Sequence, residues 1–130
     1  MIDAHQHFWN PAVRALPWMD ESVAAIDRAF GPAELRAAIS GTPVTGSVVV
    51  QALSSFEEAL ELLDTAAANA DLVRGVVAWV DLEAPDVASR LAELQERPGP
   101  LVGIRHQVHD EADASWLLRP AVLDGLRAVQ

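Results

Sequence analysis

Four short apolar runs, each followed by a segment with helical spacing, restrict this chain to one class of fold. The runs are rich in β-branched residues and lack polar alternation, as in "TGSVVVQA". Such strands are typical of parallel sheets covered by helices. The sequence therefore predicts an α/β fold of four βα units in one domain, residues 1–130. The predicted strands are 1–7, 45–52, 72–82 and 101–108, and the predicted helices are 30–41, 54–70, 84–96 and 113–130.

Residues that start and stop helices support these boundaries. Ser55 and Glu58 have the spacing of a capping box at the start of the second helix. The run "PGP" at 98–100 ends the third helix. Pro120 predicts an interruption within the fourth, because proline lacks the N–H group that a helix interior needs.

Two architectures agree with four βα units. A small doubly wound sheet fits 130 residues. The same units also match the first half of a (β/α)₈ barrel, which needs about 250 residues when complete. Composition does not distinguish the two, whereas the residues at the strand ends do.

Composition excludes several classes of function. The formal charge is −10 and all nine basic residues are arginine, which argues against a nucleic-acid or anionic-membrane surface. The chain has no cysteine, so it offers no disulfide, thiolate nucleophile or thiolate metal ligand. It also lacks a secretory signal pattern and an apolar run of about 18 residues. We therefore expect a cytoplasmic protein with neither membrane nor nucleic-acid partners.

His5 and His7 close the first predicted strand, in "MIDAHQHFW". Residues two apart in a strand point to the same side, so both imidazoles project together while Gln6 turns away. The carboxyl ends of parallel strands are where α/β proteins place their active sites. Imidazole is a common metal ligand and an acid–base group near neutral pH. The pair indicates a divalent-metal site or a polar clamp on a substrate; two ordinary polar residues at a strand end are the simpler alternative.

The fourth predicted strand adds candidates in "GIRHQVHDE". Arg105 and His106 alternate, so one is expected to face the crevice or barrel and the other the helix layer or the rim. A guanidinium suits a substrate carboxylate or lactone oxygen, and a structural salt bridge with Asp110 or Glu111 is the alternative. His109 follows in the adjoining loop. All four histidines therefore fall at the ends of the first and fourth strands.

Two further side chains are candidates for substrate binding. Gln51 ends the second strand, where it could donate to a substrate oxygen or satisfy local backbone groups. Trp9 follows the histidine pair and could line a pocket or belong to the core. No nucleophile elbow or Gly-rich phosphate loop is present. Hydrolysis by an activated water, with or without a metal ion, is therefore the chemistry that these residues permit.

Motifs along the whole chain resemble the sugar-lactonase branch of the amidohydrolase superfamily. They are "IDAHQHFW", "VVVQA", "GVVAWVDL" and "LVGIRHQVHDE…WLLRP", in matching order. The branch includes fuconolactonases and rhamnonolactonases and, more distantly, pyrone-dicarboxylate hydrolases. The resemblance implies a (β/α)₈ TIM barrel, of which the chain holds about the first four βα units. It also implies hydrolysis of a small sugar-acid lactone by activated water.

The resemblance implies roles for particular residues. His5 and His7 would be metal ligands or would polarise the substrate, and "GIRH" would contact the substrate. Members differ in their need for a metal, so both one divalent ion such as zinc and a metal-independent mechanism agree with the resemblance. We assign catalytic roles to His5, His7 and His106, tentative metal ligation to His5 and His7, and substrate binding to Arg105, Gln51, Trp9 and His109.

Length is the main departure from this family. Its members are about twice as long, as a complete barrel requires, and carry a histidine in an "LDHLGKP"-like segment and an aspartate in an "SDWP"-like segment. Neither segment occurs in this sequence. We therefore expect an N-terminal half barrel that is nearly inactive alone, with the general base elsewhere. We also expect it to aggregate, to self-associate and so complete its sheet, or to need the other half. The alternatives are a non-catalytic half-barrel module and a doubly wound domain that binds metal or ligand.

Overall fold

Four parallel strands form a single sheet in the order β1-β2-β3-β4, in a computed structural model that describes all of residues 1–130. The strands are β1 (Ile2–Gln6), β2 (Gly46–Val50), β3 (Val73–Ala78) and β4 (Leu101–Ile104). The helices are α1 (Pro32–Ile39), α2 (Phe56–Ala68), α3 (Val87–Glu96) and α4 (Pro120–Val129), with 3₁₀ turns at Glu21–Ile26, Val108–Asp110 and Trp116–Leu118. None of the helices is long and apolar enough to cross a membrane.

The strand order decides between the two predicted architectures. Each strand pairs in parallel with the next one in the chain. A doubly wound sheet must reverse its strand order at a switch point, and this order has no reversal. Right-handed crossovers that all advance in one direction place their helices on one face of the sheet. The α/β prediction is therefore confirmed, and the topology is that of a half barrel.

The strands are shorter than the sequence predicts, and this moves the candidate residues beyond them. β1 ends at Gln6 and β4 ends at Ile104, so His7, Arg105 and His106 lie just past the strand ends, although the Arg105 N–H still donates to the Ala78 carbonyl of β3. The predicted break in the last helix is confirmed, since a 3₁₀ turn precedes α4, which begins at Pro120.

The core lies between the sheet and the helices that cover it. Leu63 of α2, Leu94 of α3 and Val76 of β3 are fully buried in one cluster of 17 apolar residues. Trp116, which precedes α4, belongs to the same cluster and has 2% of its surface exposed. The helix layer is thus well packed at the centre of the sheet.

The ends of this half barrel are packed less well. Val102 of β4 is 59% exposed and Ile2 of β1 is 45% exposed, and β1 and β4 each pair with only one strand. Helix α1 buries no residue completely. Helix α4 leaves a partly exposed apolar stripe that consists of Leu123, Leu126 and Val129. Both edges of the sheet and both terminal helices therefore lack a neighbour on one side.

The close approach of the 98–100 turn to α2 generates a stability prediction. A Cβ atom on Gly99 would lie 2.1 Å from the Leu63 carbonyl oxygen and 2.8 Å from Leu63 Cα. Backbone atoms cannot move aside cheaply, so we expect Gly99→Ala to lower the free energy of unfolding by about 1–3 kcal/mol, measured by urea denaturation. Gly103→Ala is the control, since its nearest contact would be an ordinary 3.7 Å. Equal stability of the two variants would contradict the proposed clash.

Candidate active site

The two histidines at the end of β1 point to the same side, as their spacing predicts. His5 Nε2 and His7 Nε2 are 3.1 Å apart. Gln6 borders a cavity beside α1 that is also lined by His7, Leu35 and Ala38. The alternation of the strand therefore brings the two ring nitrogens of the histidine pair together.

Backbone carbonyl groups at the end of β2 fix the orientation of His7. His7 Nδ1 lies 2.8 Å from the Val50 oxygen and 3.1 Å from the Gln51 oxygen. A carbonyl oxygen only accepts, so Nδ1 carries the proton and the neutral ring keeps a lone pair on Nε2. Burial lowers the pKa of His7 below its ordinary value, and the positive charges of His5 and Arg105 act in the same direction, while the bond to Val50 opposes them. The structure thus favours a neutral His7.

Arg105 projects over the end of β2 and is held there by Gln51. Arg105 Nη1 donates to Gln51 Oε1 at 3.0 Å. The Gln51 side chain is fully buried, and its Nε2 donates to Gln107 Oε1 at 3.3 Å. Sequence reasoning missed Gln107, although its position two residues after Arg105 on the same strand extension could have indicated it. Gln51 therefore serves to position Arg105, and its direct contact with substrate stays a prediction.

A cavity of about 300 Å³ lies beside these groups. Its polar lining consists of His7, Gln51, Arg105 and Gln107, and its apolar lining consists of Trp9, Trp18, Ile26 and Ala52. The two indole rings meet edge to face with centroids 5.9 Å apart. The long loop after β1 thus forms an aromatic wall opposite the polar strand ends. Of the two positions predicted for Trp9, a pocket wall or the core, the structure shows the pocket wall.

His106 lies on the other side of the strand extension from Arg105. Trp79 Nε1 donates to His106 Nδ1 at 3.2 Å, so His106 Nε2 carries the proton and donates to Glu111 Oε1 at 2.6 Å. The imidazole also stacks on Trp116, with centroids 4.0 Å apart. The predicted alternation is therefore correct, with Arg105 at the cavity and His106 in the helix layer. The structure does not bring His106 to the His5–His7 pair, and its catalytic role stays a prediction.

His109 lies outside this constellation. It belongs to the 3₁₀ turn Val108–Asp110, is exposed, and places its Nε2 3.2 Å from Asp110 Oδ1. It does not line the cavity beside Arg105. The structure therefore gives no support to the predicted contact of His109 with substrate, which stays a prediction.

Glu58 of α2 holds the turn after β2 in place, a contact that the sequence did not predict. The Glu58 N–H donates to Ser55 Oγ, as the predicted capping box requires. Its carboxylate does not return to Ser55 but accepts from the N–H groups of Ala52 and Leu53 at 3.1 and 3.0 Å. Burial raises the pKa of Glu58 to about 7, against the effect of these hydrogen bonds. Glu58 thus ties down the turn that directly follows Gln51.

The histidine pair fits part of the coordination shell of a divalent metal. Two ligands at 2.0–2.1 Å in a tetrahedral zinc site lie about 3.3 Å apart, close to the 3.1 Å between the two Nε2 atoms. A metal-bound histidine usually donates its other N–H to a carbonyl or carboxylate, as His7 does to Val50. No group of three or more His, Cys, Asp or Glu side chains converges anywhere in the chain. The chain therefore offers two candidate ligands at this position and not a complete site.

Comparison with known proteins confirms the resemblance seen in the sequence. The family profile described as "Amidohydrolase" matches residues 2–128. The chain belongs to the amidohydrolase family. It is 40% identical over 125 residues to an L-fucono-1,5-lactonase of Burkholderia ambifaria, covering 93% of this chain and 42% of that protein. An L-fucono-1,5-lactonase of Burkholderia multivorans is 38% identical over 112 residues, covering 86% and 37%. The amidohydrolase chain thus spans about two fifths of these relatives.

Solved structures agree with the half-barrel topology of this amidohydrolase chain. An amidohydrolase from Burkholderia multivorans with bound zinc superposes with a TM-score of 0.86 at 35% identity, covering 96% of this chain and 43% of that one. A protein from Acinetobacter baumannii described as a probable 2-pyrone-4,6-dicarboxylic acid hydrolase gives a TM-score of 0.68 at 19% identity, covering 98% and 45%. The second likeness concerns the fold alone.

The raised pKa of Glu58 predicts a pH-dependent contribution to stability. Between its ordinary value of 4.5 and about 7, the folded state holds a proton that the unfolded state has released. The free energy of unfolding therefore falls as pH rises through this range and levels off above it. We expect Glu58→Gln to remove this component, on the order of 2 kcal/mol, in urea denaturation series at several pH values.

Glu57→Gln is the matched control for this measurement. Glu57 lies one residue earlier in α2 and is exposed, and hydrogen bonds lower its pKa. Its replacement should leave the slope between pH 4.5 and 7 in place. A slope that survives in Glu58→Gln would show that other groups cause it.

Proposed function

We propose that this chain carries one part of a lactonase site that opens the ester ring of a small sugar-acid lactone with water. The observation that carries the proposal is that the side chains of His7 and Arg105 are both held by the end of β2 and line the same cavity. The similarity to proteins named L-fucono-1,5-lactonase supports a 1,5-lactone as the substrate class.

Arg105 is the group that would stabilise developing negative charge. Its Nη1 is used by Gln51, and a guanidinium has five N–H donors in a planar fork. The remaining donors are therefore available to the lactone carbonyl oxygen, which becomes an oxyanion when water adds to it. Donors that are fixed before the reaction lower the barrier because they need no reorganisation.

The His5–His7 pair would act on the same carbonyl group or on the attacking water. A divalent ion at this pair would supply Lewis-acid polarisation. Without an ion, the His7 Nε2 lone pair would accept a hydrogen bond from the attacking water and orient it, since the His7 Nδ1–H is already bound to Val50. In both cases the carbonyl groups of β2 keep the Nε2 atom facing the site.

The aromatic wall suits the apolar side of a sugar ring. Trp9 and Trp18 line the cavity. The Trp9 indole N–H donates to the Ile26 carbonyl, and the Trp18 indole N–H donates to the Ala52 carbonyl. These rings therefore offer contact area and not hydrogen bonds. The polar strand ends opposite would bind the ester and the hydroxyl groups.

A non-catalytic half-barrel module is the second candidate. The observation in its favour is that only two potential metal ligands converge in the chain and no carboxylate joins them. We expect the general base to lie outside these residues, and the chain alone to turn over little or no lactone. A small-molecule lactone is the proposed partner in the first case and a complementary half of a barrel in the second.

Binding of a stable lactone analogue tests the role of Arg105. L-Fucono-1,5-lactam keeps the ring and carbonyl group but resists hydrolysis. We expect Arg105→Ala to weaken its affinity by about tenfold or more, because a charged hydrogen bond is lost, as measured by isothermal titration calorimetry. Arg74→Ala is the control, since Arg74 is exposed and bonds only to the Ala70 and Asp71 carbonyls. Absence of lactam binding by the unaltered chain would count against the lactonase proposal.

Turnover separates the two candidates. Hydrolysis of L-fucono-1,5-lactone can be followed by acid release against the spontaneous rate. We expect the chain alone to be close to that background, and addition of the remaining part of a relative's barrel to restore turnover. Rapid hydrolysis by the chain alone would contradict the placement of the general base elsewhere. Lactam binding with no turnover under any condition would favour the non-catalytic module.

A further inference from the structure

A second cavity, of about 350 Å³, lies between the first two helices and is called the α1–α2 cavity here. Its walls are the loop after β1, the start of α1, the turn after β2 and one face of α2, and its lining residues all fall between Phe8 and Thr65. None of the four histidines lines it. Small-molecule sites begin at about 300 Å³, so the α1–α2 cavity is large enough to hold a ligand of its own.

The lining of the α1–α2 cavity combines apolar rings and chains with an excess of negative charge. Its large apolar side chains include Phe8, Trp9, Leu16, Phe30 and Leu62. Its charged side chains are one arginine and three glutamates, namely Arg14, Glu34, Glu58 and Glu61. An occupant would therefore meet an apolar wall together with carboxylates that outnumber the one cation.

Glu58 is the buried charge in this lining, with 6% of its surface exposed. Its carboxylate accepts only from the backbone N–H groups of Ala52 and Leu53 and forms no salt bridge. Arg14, the arginine of the cavity, pairs instead with Glu61 at 2.7 Å. A buried carboxylate is costly unless a cation accompanies it. The cavity thus presents a buried acid without a counter-charge to whatever occupies it.

We propose that the α1–α2 cavity binds a small organic ammonium ion with an apolar body, whose charged group pairs with Glu58. Glu58 Oε1 is contacted only by the Ala52 N–H, at 3.3 Å, and a carboxylate oxygen has two lone pairs, so it can still accept from an ammonium group. The aromatic and aliphatic lining would bury the apolar body. The formal charge of −10 on the chain also attracts a cation. This site does not depend on the lactonase proposal.

The ionisation of Glu58 makes the proposed binding depend on pH. Burial raises the pKa of the Glu58 carboxyl to about 7, against the effect of the Leu53 and Ala52 N–H groups. Arg14 in the loop lowers this pKa and Glu61 on α2 raises it. An ammonium ion pairs with the ionised carboxylate, so binding below pH 7 must displace a proton.

The other titratable groups around the cavity do not imitate this behaviour. On α1, the Gly31 N–H holds the pKa of Glu34 below its ordinary value, and an alkylammonium ion keeps its charge at both pH 6 and pH 8. At pH 6 about nine tenths of the Glu58 carboxyls hold a proton, so we expect affinity to be about tenfold weaker at pH 6 than at pH 8.

Titration of the intact chain with the 2-phenylethylammonium ion tests the proposal by isothermal calorimetry. We expect binding at pH 8, the tenfold loss at pH 6, and release of about half a proton per ligand at pH 7 in buffers of different ionisation enthalpy. In amide NMR spectra, the Ala52 and Leu53 signals should shift. The anion 3-phenylpropanoate has a similar body and opposite charge, and should bind at least about tenfold more weakly.

Three variants locate the ammonium group. Glu58→Gln should fold by circular dichroism, weaken binding at least about tenfold and remove its pH dependence, because a charged hydrogen bond is lost. Glu57→Gln is the control, since Glu57 is exposed and does not line the cavity. Arg14→Gln should bind the ammonium ion at least as tightly, because it removes a cation from the lining.

Several results would overturn the proposal. They are no binding of 2-phenylethylammonium, equal or tighter binding of 3-phenylpropanoate, affinity that is the same at pH 6 and pH 8, and binding that is unchanged in Glu58→Gln. The pH dependence and the proton release are measured on the unaltered chain. They therefore decide the matter even if Glu58→Gln does not fold.

Discussion

The carboxyl end of β2 organises this molecule. The carbonyl groups of Val50 and Gln51 accept the His7 N–H, and the Gln51 side chain holds Arg105, which reaches it from β4 across the end of β3. Glu58 anchors the next turn through two backbone N–H groups. Since β2 is paired on both sides, both neighbouring strands hold this strand end in place. A histidine from one edge and an arginine from the other are thus both fixed by Gln51, with Val50 as a second partner of the histidine.

The alternation of side chains along β4 divides the polar residues between two environments. Arg105 faces the cavity, whereas His106 is held among Trp79, Trp116 and Glu111. Two residues that look equivalent in the sequence therefore have different chemical surroundings. In its observed position, His106 has both ring nitrogens engaged, and its clearest effect is to fix the backbone from which Arg105 projects. In the proposed function, an arginine held in this way would offer its remaining donors to an oxyanion, which a mobile side chain would do only at an entropic cost.

The relation to the amidohydrolase family explains why the chain has a site with one side open. It spans about two fifths of its lactonase relatives, and its four strands give a sheet with two free edges. A barrel completes its core and its site by the same closure, because every strand contributes side chains both to the interior and to the mouth. A chain that contains the first four strands has therefore a well-packed helix layer at its centre and an incomplete set of groups at the strand ends.

Local pattern determined the elements of this protein, since runs such as "TGSVVVQA" and the proline at 120 act over a few residues. The pairing of His5 with His7 also followed from strand period alone. Composition and periodicity could not decide between a doubly wound sheet and a half barrel, since that depends on which strands pair. Only the resemblance of the strand-end motifs to a known family favoured the half barrel. It also could not show that Glu58 bonds to Ala52 and Leu53 instead of completing its capping box, or that Gln51 binds Arg105. These contacts join residues of different elements, and only the packing of the chain brings them within hydrogen-bonding distance.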